Sequence, residues 1–510
     1  MSARRRALAL ALLALMPSAA LGEAPLSAID WLSRSVAEPV RPASLPVPAI
    51  GAPAGAGIDV TALSRPTLDG IGLLSAARSG LPRDLWGPTT AAEAVRLIRA
   101  ERIDTLPAIQ SLLYLLLLAE TEPPAGADPA NAVFLARVDK LLDLGAVDPA
   151  LALLELPERL APETFRRRFD AALLLGAEDK ACAAMRDNPQ IAPSFPARIF
   201  CLARGGDWDA AALSLQTGRA LGFIGDADAA LLERFLDPDI AESEPELALP
   251  ERPSPLTFRM LEATGQPMTT ATLPLAFAQS DLRSNSGWKT RIEAAERLAR
   301  TGAIEPNLLL GLYTEQEPAA SGGTWDRVAA IRSLDAAVTA NDVRAVAAAL
   351  PIAWEAMAGM ELEVPLAEIY GEKLAAVPLS PEASALAFRI GLLSASFGRV
   401  AAGRIPADPG EAFLIGLAQG RASDLPPPGE LAVAVNLAFS DKGSDDPDLA
   451  RLLAEGRTGE AILRAIDNVT DGAKGDLRDV TAGLRLLRTA GLNTFARRAA
   501  LELLLLERRG

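Results

Sequence analysis

Residues 176–222 constrain the fold of this chain more than any other stretch. Within them, Gly176 is followed five residues later by Ala181, and Gly206 is followed five residues later by Ala211. Glycine adopts the left-handed conformation that ends a helix at little cost, and a small alanine lets the next helix cross closely. The pattern therefore predicts two successive helical hairpins.

The same Gly-to-Ala phrase occurs elsewhere in the chain. It recurs as Gly145 with Ala150, Gly456 with Ala461, and Gly491 with Ala496, and Gly302 and Asn341 hold comparable places. A single helix pair of this length cannot bury its own apolar faces, so neighbouring pairs must stack. The phrase resembles the tetratricopeptide repeat family, which has a period of about 34 residues. The resemblance covers roughly residues 130–222 and 440–510, but the family's Trp-x-x-Leu-Gly-x-x-Tyr phrase is missing and the period varies.

Composition favours the same fold class. Half of the residues are hydrophobic, yet only 5% are aromatic, so Leu, Ala and Val must form most of the core. Leu and Ala are strong helix formers. We predict an all-α fold of stacked helical hairpins, a degenerate tetratricopeptide-like α-solenoid, after a Pro-rich N-terminal segment. An irregular bundle of α-hairpins is the alternative.

Residues 1–22 have the pattern of a secretory signal peptide. Arginines occupy positions 4–6, an apolar run covers residues 7–15, and the small residues Ala20 and Gly22 precede the expected cleavage site. The apolar run is too short to cross a bilayer, which takes about 20 residues. The excess of Ala, Leu, Gly and Pro is typical of a GC-rich bacterial genome. We expect a periplasmic or secreted protein after cleavage near Gly22.

Proline-rich and acidic stretches divide the remaining chain. Residues 237–255 contain five prolines and six acidic residues with little apolar periodicity, which is typical of a linker or long loop. The predicted divisions are a Pro-rich strap or linker (23–88), a first helical-repeat block (89–236), an acidic Pro-rich linker (237–255), a middle helical block (256–421) and a C-terminal helical-repeat block (430–510).

The residues that are absent exclude several functional classes. No histidine occurs in the 510 residues, which excludes Ser-His-Asp and Cys-His catalysis and every histidine-ligated zinc site. The formal net charge of −15 argues against nucleic acid or an anionic membrane surface as a partner. We expect no cofactor, no metal and no membrane span.

The two cysteines, Cys182 and Cys201, fall in consecutive predicted hairpins. Adjacent helices of a stack can bring such positions together, and an exported protein meets an oxidising environment. We predict a disulfide, worth roughly 3 kcal/mol in the loop-entropy model. Two buried free thiols on facing helices are the alternative.

The middle block contains the stretch that departs most from the repeat, residues 312–327. It combines Tyr313, Glu315, Trp325 and Arg327 around a pair of glycines. Such a loop can line a ligand or peptide groove, with the aromatic residues as anchors and the arginine pairing with an acidic group. The alternative is structural: Thr324 would cap a helix and the tryptophan would pack beneath it.

Three enzymatic patterns can be weighed against that binding role. Glu315 with Glu317, or Asp445 with Asp448, could serve as the acid and base of a glycan-acting enzyme of the cell envelope. Residues 286–289 match the Ser-x-x-Lys phrase of acyl-enzymes, but no companion motif follows, and an N-cap role for Ser286 is the simpler interpretation.

Taken together, these patterns predict a non-enzymatic, exported helical-repeat protein. Its expected role is to bind a protein or peptide of the bacterial cell envelope, and its acidic surface is expected to select a basic or neutral ligand. A carboxylate-dependent envelope enzyme is the alternative function.

Overall fold

The computed structural model describes residues 67–127, 130–158, 161–318, 320–440 and 446–506. These ranges contain 26 α-helices and no β-strand; two isolated bridges join Leu74 to Ala119 and Thr90 to Ala125. The predicted all-α class is therefore confirmed for the described residues. The predicted signal peptide and residues 23–66 of the predicted strap lie outside them.

The first half of the chain contributes twelve helices. They are α1 (Ala76–Ser79), α2 (Ala91–Ala100), α3 (Pro107–Leu118), α4 (Ala132–Asp143), α5 (Val147–Glu155), α6 (Pro162–Leu175), α7 (Glu178–Asp187), α8 (Phe195–Arg204), α9 (Trp208–Ala220), α10 (Asp226–Leu236), α11 (Pro238–Ser243) and α12 (Pro255–Ala263). The short helix α11 lies inside the stretch predicted as an acidic linker.

The second half contributes fourteen more. They are α13 (Ala278–Asp281), α14 (Trp288–Arg300), α15 (Pro306–Thr314), α16 (Thr324–Thr339), α17 (Val343–Ala358), α18 (Glu363–Ala375), α19 (Pro381–Leu392), α20 (Phe397–Ala402), α21 (Pro409–Ala418), α22 (Glu430–Phe439), α23 (Pro447–Ala454), α24 (Thr458–Gly472), α25 (Leu477–Thr489) and α26 (Asn493–Leu505). Most helices pack on their neighbours in sequence.

The turns between the helices follow the Gly-to-Ala phrase. The left-handed conformation, with φ between 52° and 84°, occurs at Gly145, Gly176, Gly206, Gly302, Asn341, Gly456 and Gly491. In each turn the next residue donates its N–H to the carbonyl five residues earlier, which is the Schellman arrangement. The five predicted alanines that follow are at most 2% exposed: Ala150, Ala181, Ala211, Ala461 and Ala496. The local geometry that the phrase predicts is present at all five places.

Helix starts agree with some of the predicted caps and correct one. The sequence Thr90-Ala-Ala-Glu93 fits a capping box and predicts a helix that runs to Ile103, and the Thr90 hydroxyl accepts from the Glu93 N–H as that box requires. Asp446 caps α23 in the same way. Ser286, however, is not an N-cap: α14 begins at Trp288, its N-cap is Gly287, and no side chain caps it. The extended backbone of Gly287 occupies the cap position instead.

The buried apolar side chains form two large clusters. The second core lies within residues 165–261 and is built on α6 to α10 and α12, with side chains such as Phe169, Phe200 and Leu232. The main core takes in most of the remaining helices, from both halves of the chain. Helix α6 belongs to both, because Phe165 packs in the second core and Leu174 in the main core.

Part of the predicted N-terminal strap is built into the main core. Leu85 and Trp86 are 0% and 2% exposed. The preceding residues are held by Arg137, whose fully buried guanidinium donates to the carbonyls of Ile71 at 2.8 Å and of Leu117 and Ala119 at 2.7 and 2.8 Å. Residues 67–88 therefore belong to the folded body.

Candidate functional site: a groove where the two ends of the described chain meet

The first helices of the described chain pack against the last ones. Helix α3 contacts α24 and α26, and α2 contacts α24. Gly459, in the first turn of α24, donates its N–H to the Leu85 carbonyl at 2.7 Å. A side chain at position 459 would meet the Trp86 ring at 2.8 Å. The absence of a Cβ there lets the two segments approach, and the N- and C-terminal helices close on each other.

Polar contacts continue this closure beyond the apolar core. Thr105 and Thr470 share a hydrogen bond of 2.6 Å between their hydroxyls, and Arg102 pairs with Asp471 at 2.6 Å. The buried carboxylate of Glu502 accepts from the Ala108 N–H at 2.8 Å. These three contacts join residues more than 360 positions apart, so only tertiary structure creates them.

A cavity of about 320 Å³ lies directly beside these contacts. Its walls come from the segment before α3, from the end of α14 and from the end of α24. The apolar part of its lining is Ile103, Leu106, Leu275 and Ala473, and the positively charged part is Arg297, Arg300 and Lys474. Hydroxyl groups of Thr105, Thr301 and Thr470 lie between them.

A second cavity, of about 390 Å³, adjoins the first. The two share three lining residues: Gln110, Arg300 and Glu361. The second cavity continues between α3, α15, α18 and α26 and has apolar walls that include Ile304, Val364 and Ile369. We call the two cavities together the central groove. Their volumes fall in the range of natural ligand sites, about 300 to 1,000 Å³.

The three cations of the first cavity are not equivalent. The guanidinium of Arg297 donates to the backbone carbonyl of Thr270 at 2.9 Å and of Leu273 at 3.3 Å, and burial lowers its pKa, although Asp281 opposes that shift. Arg300 and Lys474 are exposed, and neither forms an ion pair or a side-chain hydrogen bond with the described residues. The cavity thus holds two cations that are free to meet a ligand.

Acidic residues also line the groove. Asp104 is exposed in the first cavity, and Glu368 in the second is paired with Arg498 at 2.8 Å. Glu361 touches both cavities and has φ of 57°, a left-handed conformation that is uncommon for a non-glycine residue. The Leu362 N–H donates to the Met357 carbonyl five residues earlier at 2.9 Å, so Glu361 holds the left-handed place of a Schellman turn. At Glu361 the turn between α17 and α18 holds the strained residue at the middle of the groove.

One buried acid lies near the closure but outside the groove. Glu101 is 3% exposed, and neither of its carboxylate oxygens has a hydrogen-bond partner. Burial raises its pKa well above the usual range, and the nearby carboxylate of Asp467 adds to the shift, whereas Lys140 opposes it. Burial also raises the pKa of Asp467.

The four residues predicted from the middle block come close together but serve internal contacts. Tyr313 is 1% exposed and donates its hydroxyl to Glu296 at 2.7 Å. Arg327 binds both oxygens of the same carboxylate, at 2.7 and 2.6 Å. Burial raises the pKa of Tyr313 well above its usual value, and Glu296 adds to the shift. The acid that Tyr313 and Arg327 both meet belongs to α14, so the binding of a ligand's acidic group by Arg327 stays a prediction.

The other two predicted residues pack nearby. The Trp325 ring lies 4.9 Å from the Trp288 ring, centroid to centroid, and Glu315 pairs with Arg291 at 2.9 Å. Thr324 is the first residue of α16 and is not its N-cap; that place belongs to Gly323. The geometry gives these side chains structural contacts, and a groove lined by Tyr313 and Trp325 stays a prediction.

The acids considered for catalysis lie on the surface with basic neighbours. Glu317 is 3.6 Å from Arg332, and Asp448 is 3.2 Å from Arg451; Asp445 lies outside the described residues. Lys289 of the Ser-x-x-Lys phrase is 3.6 Å from Glu293. None of these described residues lines the central groove.

Cys182 and Cys201 lie at disulfide distance, with their sulfur atoms 2.00 Å and their Cα atoms 5.0 Å apart. Both are buried in the second core, on α7 and α8. This is the bonded arrangement that the sequence predicted. The cysteines lie in a different core from the groove, which fits a structural role for the bond.

Sequence reasoning did not find the groove residues. Arg300 and Lys474 come from segments 174 positions apart, and neither belongs to a motif. The only local signal was that Arg300 precedes the left-handed Gly302, which placed it at a helix end. A cation at the end of a helix usually complements the helix dipole. The sequence therefore does not distinguish such a cation from one that lines a cavity.

Two searches of the described residues bear on function. None of their helices is both long enough and apolar enough to cross a membrane. They also contain no group of three or more Cys, Asp or Glu side chains placed to hold a metal ion. Comparison of the chain with protein-family models, with curated proteins and with solved structures gave no match.

Proposed function

We propose that the protein is an exported helical-repeat protein of the bacterial cell envelope that binds a peptide segment of a partner in the central groove. The observation that carries the proposal is the groove itself. It lies between helices from the first, middle and last parts of the described chain, and it combines apolar walls with exposed cations. A binding site formed in this way keeps its shape only when all three parts of the chain are packed together.

Two features support the cellular part of the proposal. The cysteine pair at disulfide distance is compatible with an oxidising compartment, where such bonds persist. The basic and apolar pattern of residues 1–22 is that of a signal peptide. Both fit a protein that acts after export.

The recurring Schellman turns support the repeat interpretation. All seven end a helix in the same way, and five of them are followed five residues later by a buried alanine. A stack of such hairpins offers extended surfaces for binding. In this protein the meeting of α3 with α24 and α26 turns part of that surface into a groove.

The proposal can be tested by site-specific photocross-linking. A benzophenone side chain in place of Asn307, an exposed residue of the second cavity, should cross-link in the periplasm to one continuous segment of one envelope protein. The same group at Gln216 on the exposed face of α9 is the matched control. Peptide mapping by mass spectrometry reads the result.

The groove can also be blocked. Ser111→Trp places a large ring in the second cavity and should abolish the cross-link from position 307 without unfolding the protein. Cross-links that scatter over many proteins, or that are equal at positions 307 and 216, would contradict the proposal.

A further inference from the structure

The chemistry of the first cavity defines the ligand more narrowly. Arg300 lines it from the end of α14 and Lys474 from the turn after α24, both side chains are exposed, and neither is paired with a described acid. Both other arginines that line the central groove are already engaged: Arg297 with backbone carbonyls and Arg498 with Glu368. An anionic group on a ligand would form ion pairs with these two free cations.

The surroundings favour a carboxylate over a phosphate. Arg300 is the last residue of α14, and Lys474 follows the end of α24 by two residues. Helix C-termini present carbonyl oxygens, whereas phosphate sites commonly use the N–H groups of helix N-termini. Asp104 and Glu361 line the same cavity and further disfavour a doubly charged group. One negative charge suits the cavity better than two.

The shape of the groove indicates what lies behind the charged group of the ligand. The cavity with the free cations has apolar residues on its remaining walls, among them Leu106 and Leu275. Beyond Arg300 the groove opens into the second cavity, which has Ile304, Val364 and Ile369 on its walls. A ligand whose charged end lies in the first cavity and whose apolar side chains lie in the second fits this arrangement.

We propose that the first cavity receives the C-terminal carboxylate of a peptide, held by Arg300 and Lys474, and that the apolar side chains before it occupy the second cavity. This inference rests on the proposed function, because it names the part of the partner that the central groove recognises. Hydrogen bonds to a charged carboxylate are the strong ones, so the terminal group supplies much of the affinity.

The test uses two pools of N-acetylated random pentapeptides, one with a free C-terminal carboxylate and one with a C-terminal amide. The full-length protein is immobilised, and retained peptides are measured by mass spectrometry. The acid pool should be retained at least about tenfold more than the amide pool, since each charge-assisted contact is worth about tenfold in affinity or more. Raising the salt concentration from 50 to 500 mM should weaken retention, because the cations are exposed.

Variants separate recognition from folding. Arg300→Ala and Lys474→Ala should each lower retention of the acid pool about tenfold, and Arg300→Lys should restore most of it. Arg344→Ala and Lys373→Ala, which remove exposed cations outside the groove, should change nothing. If the two groove variants lower the melting temperature but leave retention unchanged, the cations serve only the helix ends and the inference is wrong.

The remaining outcomes distinguish this inference from the proposed function. Equal retention of the acid and amide pools overturns carboxylate recognition but leaves peptide binding in the groove. Inorganic phosphate that displaces the acid pool at micromolar concentration overturns the choice of carboxylate. Retention of neither pool contradicts both.

Discussion

The second core and the main core are stabilised by different kinds of contact. The second core is formed within about one hundred consecutive residues, 165–261, and holds the cysteine pair. The main core joins helices from both ends of the described chain and includes a buried arginine that satisfies backbone carbonyls. The second core is therefore held by local contacts and a covalent bond, whereas the main core depends on contacts between segments that are distant in sequence.

This difference has a functional consequence. The central groove lies at the closure of the main core, where segments distant in sequence meet. Changes in the second core should therefore leave ligand binding intact, while changes at the closure should disturb it. In calorimetry we expect two transitions, since clusters with separate cores can unfold separately.

The largest expected effect comes from Arg137→Met in the main core. The variant keeps much of the side-chain volume but leaves the carbonyls of Ile71, Leu117 and Ala119 without their donor. We expect a loss of about 3 to 5 kcal/mol in the free energy of unfolding. Chemical denaturation followed by circular dichroism measures it. Arg344→Met, at an exposed position, is the control, and equal stabilities of the two variants would contradict the role assigned to Arg137.

Asp170 on α6 tests the boundary between the two cores. Burial raises its pKa to about 7, although Arg166 and Arg167 oppose the shift. A carboxyl whose pKa is higher in the folded state stabilises the protein fully below its unfolded pKa of 3.8, and this contribution is lost as the pH rises through 7. Asp170→Asn cannot ionise. It should therefore gain stability over the natural protein as the pH rises, by up to about 4 kcal/mol at pH 8.

The measurement for Asp170 is the difference in unfolding free energy between the two proteins at pH 4 and at pH 8. Asp209→Asn, on the exposed face of α9, should show no such change with pH. A difference for Asp170→Asn that is the same at both pH values would refute the assignment.

Reduction of the cysteine pair should affect the second core alone. Breaking the bond between Cys182 and Cys201 releases a loop with a sequence separation of 19 residues. We expect a loss of about 3 kcal/mol in the second core. Calorimetry with and without a phosphine reductant should move one transition and leave the other, and peptide retention by the folded protein should be unchanged. A shift of both transitions would show that the cores unfold together.

A matched pair of glycines gives the smallest expected effect. Gly206 in the second core and Gly491 in the main core both have φ of 84°, and a Cβ at either position meets nothing within 4 Å. Alanine at either place should cost about 1 kcal/mol through backbone strain alone. Gly206→Ala should lower only the transition of the second core, and Gly491→Ala only that of the main core. Unequal costs would mean that the two turns differ in more than their backbone.

Much of the fold could be predicted from local signals. The Gly-to-Ala phrase predicted the left-handed turns and the buried alanines, because both depend on a few consecutive residues. The capping box at Thr90 and the helix after it were predicted for the same reason, although α2 ends at Ala100 and does not run on to Ile103. The N-cap at Ser286 was wrong because Gly287 takes the extended cap conformation.

The candidate site was not predictable in the same way. Tyr313 and Arg327 were chosen for their chemical character, and the structure pairs both with Glu296, an acid 17 and 31 positions away that no local pattern indicates. The groove residues Arg300 and Lys474 carry no motif at all. Their place in the groove follows from where α14 and α24 end.

By itself, then, the sequence determined the helical class and the positions of the turns, since each depends on neighbours along the chain, but it left Cys182 and Cys201 open between a disulfide and two free thiols. Tertiary structure alone decided that Gly459 meets Trp86, that Thr105 meets Thr470 and that a groove opens beside them. The physical reason is that closure depends on the accumulated geometry of many packed helices, and no short stretch of residues encodes it.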